Sequence, residues 1–423
     1  MAGIAVALFL LSGLASVATA HPGSLSGADS SSAATAEETS VSNQLAAAEN
    51  SLVQGLGPAA GQSSKCSESF VGGAADCRAP TDLAAAKGPD WTSLNSPPAR
   101  WGASMVYDAA DGYVVLFGGR NLGTEFYNDT WKFVGGSWTN ITPARSPSDR
   151  AFVAMTYDVK DGYVVLFGGS YVGGVVGQTW KFLGGSWTEL SPATSPQARY
   201  GAGITYDAKD GYVLMFGGCG EITCPLADSW KFVGGSWTEL SPTKSPSARY
   251  WAAMTYDTKD SYVVLFGGEN YTKIFGDTWE FVGGAWTLLS PATSPADRYL
   301  PVMGYDAMDG YVVLFGGIGG GSTFLSDTWK YVGGVWTQLS PAVAPRARVG
   351  AGMAYDTKDG YAVLFGGSGP TAVLADTWKF LNGAWTNLTP PLTASPSARY
   401  SSALTYDAKD GYVLLFGGIN SSG

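Results

Sequence analysis

The sequence is poor in histidine, cysteine and charge, and each shortage excludes a class of function. It has one histidine, His21, and four cysteines among 423 residues, and only 14% of the residues are charged. A single imidazole near the N-terminus supplies neither a pair of metal ligands nor the base that Ser-His-Asp and Cys-His catalysis require. The sequence therefore predicts no catalytic residues, no metal site and no cofactor.

Positive charge is also scarce. The chain has 25 Lys and Arg residues against 35 Asp and Glu residues, which gives a net charge of −10. Proteins that bind nucleic acid or anionic membranes through their phosphates need a basic face. We therefore expect no nucleic-acid partner and no membrane contact beyond a leader segment, and we expect a monomer.

The abundant residues are those of tight turns and apolar cores. There are 58 glycines and 22 prolines, and aromatic residues make up 13% of the chain. This composition is typical of short strands joined by tight turns, so helices should be scarce.

A repeat of about 50 residues dominates the sequence. The triplet Phe-Gly-Gly recurs seven times, starting at Phe117, Phe167, Phe216, Phe266, Phe315, Phe365 and Phe416. A period of this length with four strand-like segments is typical of a propeller blade. In the third repeat the expected strands are Arg199 to Tyr206, Tyr212 to Phe216, Asp228 to Phe232 and Trp237 to Leu240. The repeated tryptophans are interpreted as packing between blades.

The repeat resembles a known family. The Gly-Gly doublet after the second strand, the aromatic residue Phe232 in the third strand and Trp237 in the fourth are similar to kelch repeats of the bacterial and archaeal galactose-oxidase-like type. The resemblance covers residues 81–423 and implies an all-β, seven-bladed propeller of four-stranded antiparallel blades. The copper site of galactose oxidase, with two histidines and two tyrosines, cannot be carried over because the chain has one histidine.

The N-terminal part is expected to be an export leader followed by a linker. Residues 1–20 end in Ala18-Thr19-Ala20, which fits a cleaved signal peptide, although no Lys or Arg precedes Lys65. An uncleaved membrane anchor is the alternative. Residues 21–80 are low in complexity, with one possible helix between Glu37 and Gln54. The expected location is secreted or at the cell surface.

The last blade is expected to close with strands from both termini. The sequence stops soon after the seventh Phe-Gly-Gly, and residues 81–95, with Asp82 and Trp91, resemble the missing third and fourth strands. Such closure would remove the open sheet edges. The alternative is a fragment whose remaining strands lay beyond Gly423.

The cysteines and sequons fit export. Two disulfides are expected, Cys66 with Cys77 and Cys219 with Cys224, and a four-cysteine zinc site is the alternative. Possible glycosylation sites are Asn128, Asn140, Asn270, Asn387 and Asn420.

Two repeated polar motifs are interpreted as structural. Asp-x-x-Asp pairs such as Asp108 with Asp111 are expected to shape turns, with acid–base chemistry or calcium binding as alternatives. One arginine precedes each first strand, and an anion-binding ring is the alternative to hydrogen bonding within the blades. These arginines are Arg100, Arg150, Arg199, Arg249, Arg298, Arg348 and Arg399.

Function is expected where the repeat varies, in the loops after Gly-Gly and at the nearby strand starts. Aromatic rings beside a few polar groups there suit a glycan or a protein ligand. The candidate ligand-binding residues are Arg120, Tyr127, Tyr171, Glu221, Tyr250, Trp251, Glu269, Tyr271, Lys273 and Phe324. We expect a non-catalytic extracellular binding or adhesion module. The alternatives are a kelch-type hydrolase, lyase or epimerase and a structural cell-surface protein.

Overall fold

The computed structural model describes residues 97–98, 100–121, 125–134, 137–356, 360–389 and 396–419. These residues form six four-stranded antiparallel sheets and one two-stranded sheet with the regular repeat, together with four short two-stranded pairs. Within each of the six blades the strands lie side by side in chain order. In the described ranges the one helical segment is the 3-10 turn Gly320–Ser322, as expected for an all-β chain.

Each blade begins with an inner strand and ends with an outer one. The first strands are Ser104–Asp108, Ala154–Asp158, Gly203–Asp207, Ala253–Asp257, Val302–Asp306, Gly352–Asp356 and Ala403–Asp407. The second strands are Tyr113–Phe117, Tyr163–Phe167, Tyr212–Phe216, Tyr262–Phe266, Tyr311–Phe315, Tyr361–Phe365 and Tyr412–Phe416.

The third and fourth strands are present in six repeats. The third strands are Thr130–Val134, Thr179–Leu183, Ser229–Val233, Thr278–Val282, Thr328–Val332 and Thr377–Leu381. The fourth strands are Ser137–Asn140, Ser186–Leu190, Ser236–Leu240, Ala285–Leu289, Val335–Leu339 and Ala384–Asn387. The short pairs are Ser170–Tyr171 with Gly174–Val175, Arg199–Tyr200 with Cys219–Gly220, Glu269–Asn270 with Lys273–Ile274, and Ile318–Gly319 with Thr323–Phe324.

The expectation of seven four-stranded blades is wrong. Six repeats form complete blades, and the seventh forms a two-stranded sheet, Ala403–Asp407 with Tyr412–Phe416. The described residues hold no third or fourth strand for this repeat. Residues 81–95, which were expected to supply those strands, lie outside the described residues, as do the leader and the linker.

The first strands form a ring. Each packs against the first strands of the two neighbouring repeats, and the strand Ala403–Asp407 packs against both Gly352–Asp356 and Ser104–Asp108. The backbone N–H of Gly418 donates to the carbonyl of Arg100 over 2.6 Å. The two-stranded sheet therefore occupies the position between the sixth blade and the first.

The apolar core lies between blades. In the second repeat Val165 and Phe167 pack with residues of the third blade, whereas Val164 and Leu166 pack with residues of the first. Both faces of a second strand are thus buried, which explains why this strand is uniformly apolar. Trp237 confirms the packing interpretation of the tryptophans, since its Nε1–H donates to Thr179 Oγ1 of the preceding blade over 2.8 Å.

The repeated arginines join each blade to the one before it. The Arg348 backbone N–H donates to Leu325 O over 3.1 Å, and its carbonyl accepts from Gly317 N over 2.9 Å. Its guanidinium forms two hydrogen bonds to Asp376 of its own blade, at 2.6 and 2.7 Å. Gly316 has φ +68°, and a Cβ there would lie 2.7 Å from Arg348 O, so this position requires glycine.

The structural interpretation of the arginines is therefore confirmed for most of the ring. Their exposure is at most 1% for Arg100, Arg150, Arg199, Arg249, Arg298 and Arg348. Five of these six pair with an aspartate that precedes the third strand, at Asp129, Asp228, Asp277, Asp327 and Asp376. A buried guanidinium that is already paired is not available to a free anion.

The Asp-x-x-Asp motif shapes turns, as expected. Asp207 Oδ1 accepts from the backbone N–H groups of Lys209 and Asp210, at 3.1 and 3.2 Å. Asp210 Oδ2 accepts from Gly283 N of the next blade over 2.7 Å. The motif therefore stabilises its own turn and hydrogen-bonds to a turn of the next blade. The described residues contain no group of three or more potential metal ligands.

Candidate binding site at the mouth of the ring

The residue two positions after each repeated arginine has a left-handed backbone conformation. We call the ring of these residues the mouth: Gly102, Phe152, Gly201, Trp251, Leu300, Gly350 and Ser401, with φ between 50° and 65°. Hydrogen bonds between neighbouring repeats impose this conformation, because Phe152 N donates to Gly102 O over 2.8 Å and Leu300 N to Trp251 O over 3.1 Å. A left-handed conformation costs a non-glycine residue roughly 1–2 kcal/mol.

Three bulky side chains therefore occupy positions where glycine would be less strained. Phe152, Trp251 and Leu300 line a cavity of about 270 Å³, together with Pro301 and Val153. The remaining lining residues are small: Gly102, Ala103, Ser104, Gly201, Ala202 and Ala252. The lining side chains are apolar except for Ser104; the large ones come from the second, fourth and fifth repeats, and the mouth glycines from the first and third.

Gly102 makes room for the Phe152 ring. A Cβ on Gly102 would lie 2.9 Å from Phe152 Cε1, whereas a Cβ on Gly201 would lie 3.5 Å from the Trp251 ring, which is an ordinary contact. A side chain at position 102 would therefore displace the Phe152 ring.

An unbroken series of aromatic contacts extends from the mouth to a variable loop. The ring of Phe152 lies 5.2 Å from Trp101 and 5.7 Å from Trp251, centre to centre. Tyr250 lies 6.0 Å from Trp251 and 6.2 Å from Tyr271. These separations are those of favourable edge-to-face and tilted ring pairs. Tyr271 is 58% exposed and ends the series at the surface.

The variable loops begin beside the mouth. In most repeats the residue after the arginine pairs in antiparallel fashion with the residue after Gly-Gly, for example Trp101 with Arg120 and Tyr250 with Glu269. The mouth and these loops therefore share one face, which we call the loop face. The opposite face, which carries the Asp-x-x-Asp turns, is the turn face.

Glu269 lies on the loop face among tyrosines. It is half-buried, and burial raises the pKa of its carboxyl to about 7, although a hydrogen bond from Tyr250 acts in the opposite direction. Burial and the Glu269 charge raise the pKa of Tyr250. This carboxyl can therefore change its charge near neutral pH.

Arg120 lies at a different part of the loop face. Its guanidinium carbon is 5.3 Å from the centre of the Trp101 ring and 4.7 Å from that of Phe126. Burial lowers its pKa. Cation–π contacts of this kind hold a guanidinium over aromatic faces.

The remaining sequence-predicted residues are spread over the loops. The Tyr127 ring lies 4.0 Å from the Arg100 guanidinium carbon, in a joint between blades. Glu221 is exposed near Gly174, whereas Arg120 and Glu269 belong to other repeats and contact other neighbours. Tyr171 is 39% exposed. None of these placements indicates a set of catalytic groups around one point.

Two further candidates lie near the mouth. Phe324 packs in a cluster that also contains Trp251 and Leu300. The Lys273 ammonium lies 5.1 Å from the Phe275 ring. The structure thus brings Tyr250, Trp251, Glu269, Tyr271 and Phe324 to one side of the loop face.

Phe152, Leu300 and Pro301 were missed in the sequence. For Phe152 and Leu300 the signal was the position two residues after each arginine, which is glycine in three repeats and a large residue in three others; Pro301 directly follows Leu300. A strand-start position in a repeat looks like core packing, and only the left-handed φ distinguishes it.

A disulfide supports this side of the loop face. Cys219 and Cys224 are bonded, as predicted, and the Tyr271 hydroxyl donates to Cys224 Sγ over 3.1 Å. The second expected pair, Cys66 with Cys77, lies outside the described residues.

The architecture defines a β-propeller with an apolar cavity at one mouth of its ring. A family model described as the KLHDC2/KLHL20/DRC7 Kelch-repeats domain matches residues 86–245 and 229–418. The chain therefore belongs to the kelch-repeat family, whose propellers are typically protein-interaction modules. No curated protein sequence matches the chain. Within the described residues, no helix is long and apolar enough to cross a membrane.

Proposed function

We propose that this chain is an exported, non-catalytic binding module that holds a protein ligand at the mouth of its ring. The observation that carries the proposal is the strained placement of Phe152, Trp251 and Leu300 around the cavity. Backbone strain is retained chiefly at functional sites, and an apolar cavity with a few polar groups nearby is a typical binding site.

Export is supported by the disulfide and by the leader. A Cys219–Cys224 bond persists in oxidising compartments, and residues 1–20 end in Ala18-Thr19-Ala20, as expected for a cleaved signal peptide. The glycan ligand expected from the aromatic residues remains a second candidate, favoured by the exposed ring of Tyr271, because sugars stack on such rings.

Replacing Trp251 tests the proposal. A displayed peptide library and a glycan array are probed with the purified full chain, and the bound ligands are then measured against Trp251→Gly. This variant relieves the left-handed strain and removes the largest side chain of the cavity. We expect at least a tenfold loss of affinity with little loss of stability.

The matched control is Ser401→Gly. Ser401 has the same backbone conformation, with φ 53°, but does not line the cavity. Its variant should bind as the unaltered chain does. If both variants bind the ligand with equal affinity, the ligand binds elsewhere. If only glycans are selected and Trp251→Gly no longer binds them, the ligand of this site is a glycan and not a protein.

A further inference from the structure

One corner of the loop face combines a carboxyl group with aromatic faces. We call it the acidic corner: Glu269, Tyr250, Tyr271 and Trp251. The Tyr250 and Tyr271 rings are tilted by 49° at 6.2 Å, and the Tyr250 and Trp251 rings by 56° at 6.0 Å. Glu269 and Tyr250 are also adjacent through their paired backbones, with hydrogen bonds of 3.0 and 3.1 Å.

Glu269 has no cationic partner among the described residues. The nearest candidate in sequence is Lys273, which belongs to the paired short strand. Its cross-strand partner is Asn270, whereas that of Glu269 is Ile274. Opposed residues of a strand pair share a face and successive ones alternate, so Lys273 and Glu269 point to opposite sides. The Lys273 ammonium lies instead near the Phe275 ring.

A half-buried carboxylate without a counter-charge is costly, and a bound cation would compensate it. Aromatic faces beside a carboxylate form the environment that guanidinium and ammonium groups prefer. The net charge of −10 further favours the approach of a basic ligand. Another charged group of the loop face, Arg120, is in contact with Trp101 and Phe126, in the first repeat.

We propose that the acidic corner binds a basic side chain of the protein ligand, an arginine or lysine, while a neighbouring apolar side chain of the same ligand enters the cavity lined by Phe152, Trp251 and Leu300. This inference rests on the proposed function and specifies the ligand. The cation would stack on Tyr250 or Tyr271 and form an ion pair with Glu269. The mouth and the acidic corner together would then select ligands in which a basic residue lies beside an apolar one.

The test compares two fluorescent peptides that differ only in charge. The probes are Gly-Leu-Arg-Gly-amide with a fluorophore on its N-terminus and the same labelled peptide with citrulline, the neutral isostere of arginine, measured by anisotropy at pH 8 and low salt. We expect the full chain to bind the arginine peptide at least about tenfold more tightly. Glu269→Gln should abolish that preference by weakening the arginine peptide alone.

The control variant is Glu239→Gln, which removes the same charge from an exposed site on an outer strand. It should keep the preference, so a general effect of net charge is separated from a local one. Equal affinity for both peptides, or a preference that survives Glu269→Gln, would overturn the inference. An acidic ligand selected from the library and lost in Trp251→Gly would also overturn it, while leaving the proposed function intact.

Discussion

Aspartate repeats on both faces of the propeller, yet the two sets are held in opposite electrostatic states. Burial raises the pKa of the turn-face aspartates, to about 6 for Asp108. The same direction holds at Asp158, Asp207, Asp257, Asp306 and Asp407. On the loop face burial acts in the same direction but is outweighed by the arginine partner. The pKa is therefore lowered at Asp228, Asp277, Asp327 and Asp376.

The partners explain the difference. Asp228 receives two hydrogen bonds from Arg199, at 2.5 and 2.6 Å, and one from Trp230 Nε1 at 2.6 Å. Asp207 receives backbone N–H groups on Oδ1, while its Oδ2 is buried without a hydrogen-bond partner among the described residues. The aspartates that pair with the repeated arginines therefore stabilise the fold as anions. The turn-face aspartates stabilise their turns by accepting backbone hydrogen bonds, and their burial is unfavourable when they are charged.

Replacing one carboxylate on each face of the third repeat should lower the unfolding free energy by unequal amounts. Asp228→Asn leaves the buried Arg199 without a carboxylate, and we expect a cost of about 3–5 kcal/mol in unfolding free energy. Asp207→Asn keeps an acceptor for the turn and removes a buried charge, so its cost should stay within about 1 kcal/mol. Urea unfolding of both variants measures the difference. Equal losses of unfolding free energy would mean that the Arg199–Asp228 pair contributes no more stability than the Asp207 turn.

The two sets of aspartates also predict how stability depends on pH. A raised folded pKa contributes stability that is complete below the unfolded value of 3.8 and is lost as pH rises through the folded value, about 6 for Asp108. A lowered folded pKa contributes stability that is complete above 3.8 and is lost as pH falls through the folded value.

The melting temperature should therefore be highest near pH 4, where both sets contribute, and should fall by several degrees as pH rises through about 6. Calorimetry over this range measures it. Asp207→Asn should flatten the fall on the alkaline side because it removes one of the groups responsible. A melting temperature that rises steadily from pH 4 to pH 8 would contradict the assignment of the turn aspartates.

The sequence predicted the strands that repeat, but not every contact between them. Phe-Gly-Gly and the tryptophan pairs predicted the strand order, because a repeated apolar strand has to be buried between blades. The number of complete blades could not be read in this way, since counting Phe-Gly-Gly counts second strands only. The pairing of Arg199 with Asp228 was also invisible, as 29 residues separate the two partners.

The candidate site was predicted only in part, for a similar reason. Trp251 and Tyr271 stood out as aromatic departures from the repeat, whereas Phe152 and Leu300 resembled ordinary core residues. Their importance comes from a backbone conformation that hydrogen bonds between neighbouring repeats impose. In the sequence Glu269 resembles any other loop carboxylate, and only the structure shows that it lies among tyrosines.

The second repeat offers the test with the smallest expected effect on stability, because its repeated arginine pairs with Gln178 in place of an aspartate. Arg150 donates to Gln178 Oε1 over 2.5 Å, and burial lowers the pKa of this arginine to about 10. Trp180 Nε1 is buried with no hydrogen-bond partner among the described residues, whereas Trp230 Nε1 donates to Asp228. Gln178→Asp would supply an acceptor for Trp180 Nε1 and a charged partner for Arg150. We expect a gain of about 1 kcal/mol in unfolding free energy, seen as a higher urea midpoint at unchanged slope. Gln178→Asn shortens the side chain equally but adds no charge, so a gain of the same size in that control would show that the carboxylate is not what stabilises the joint.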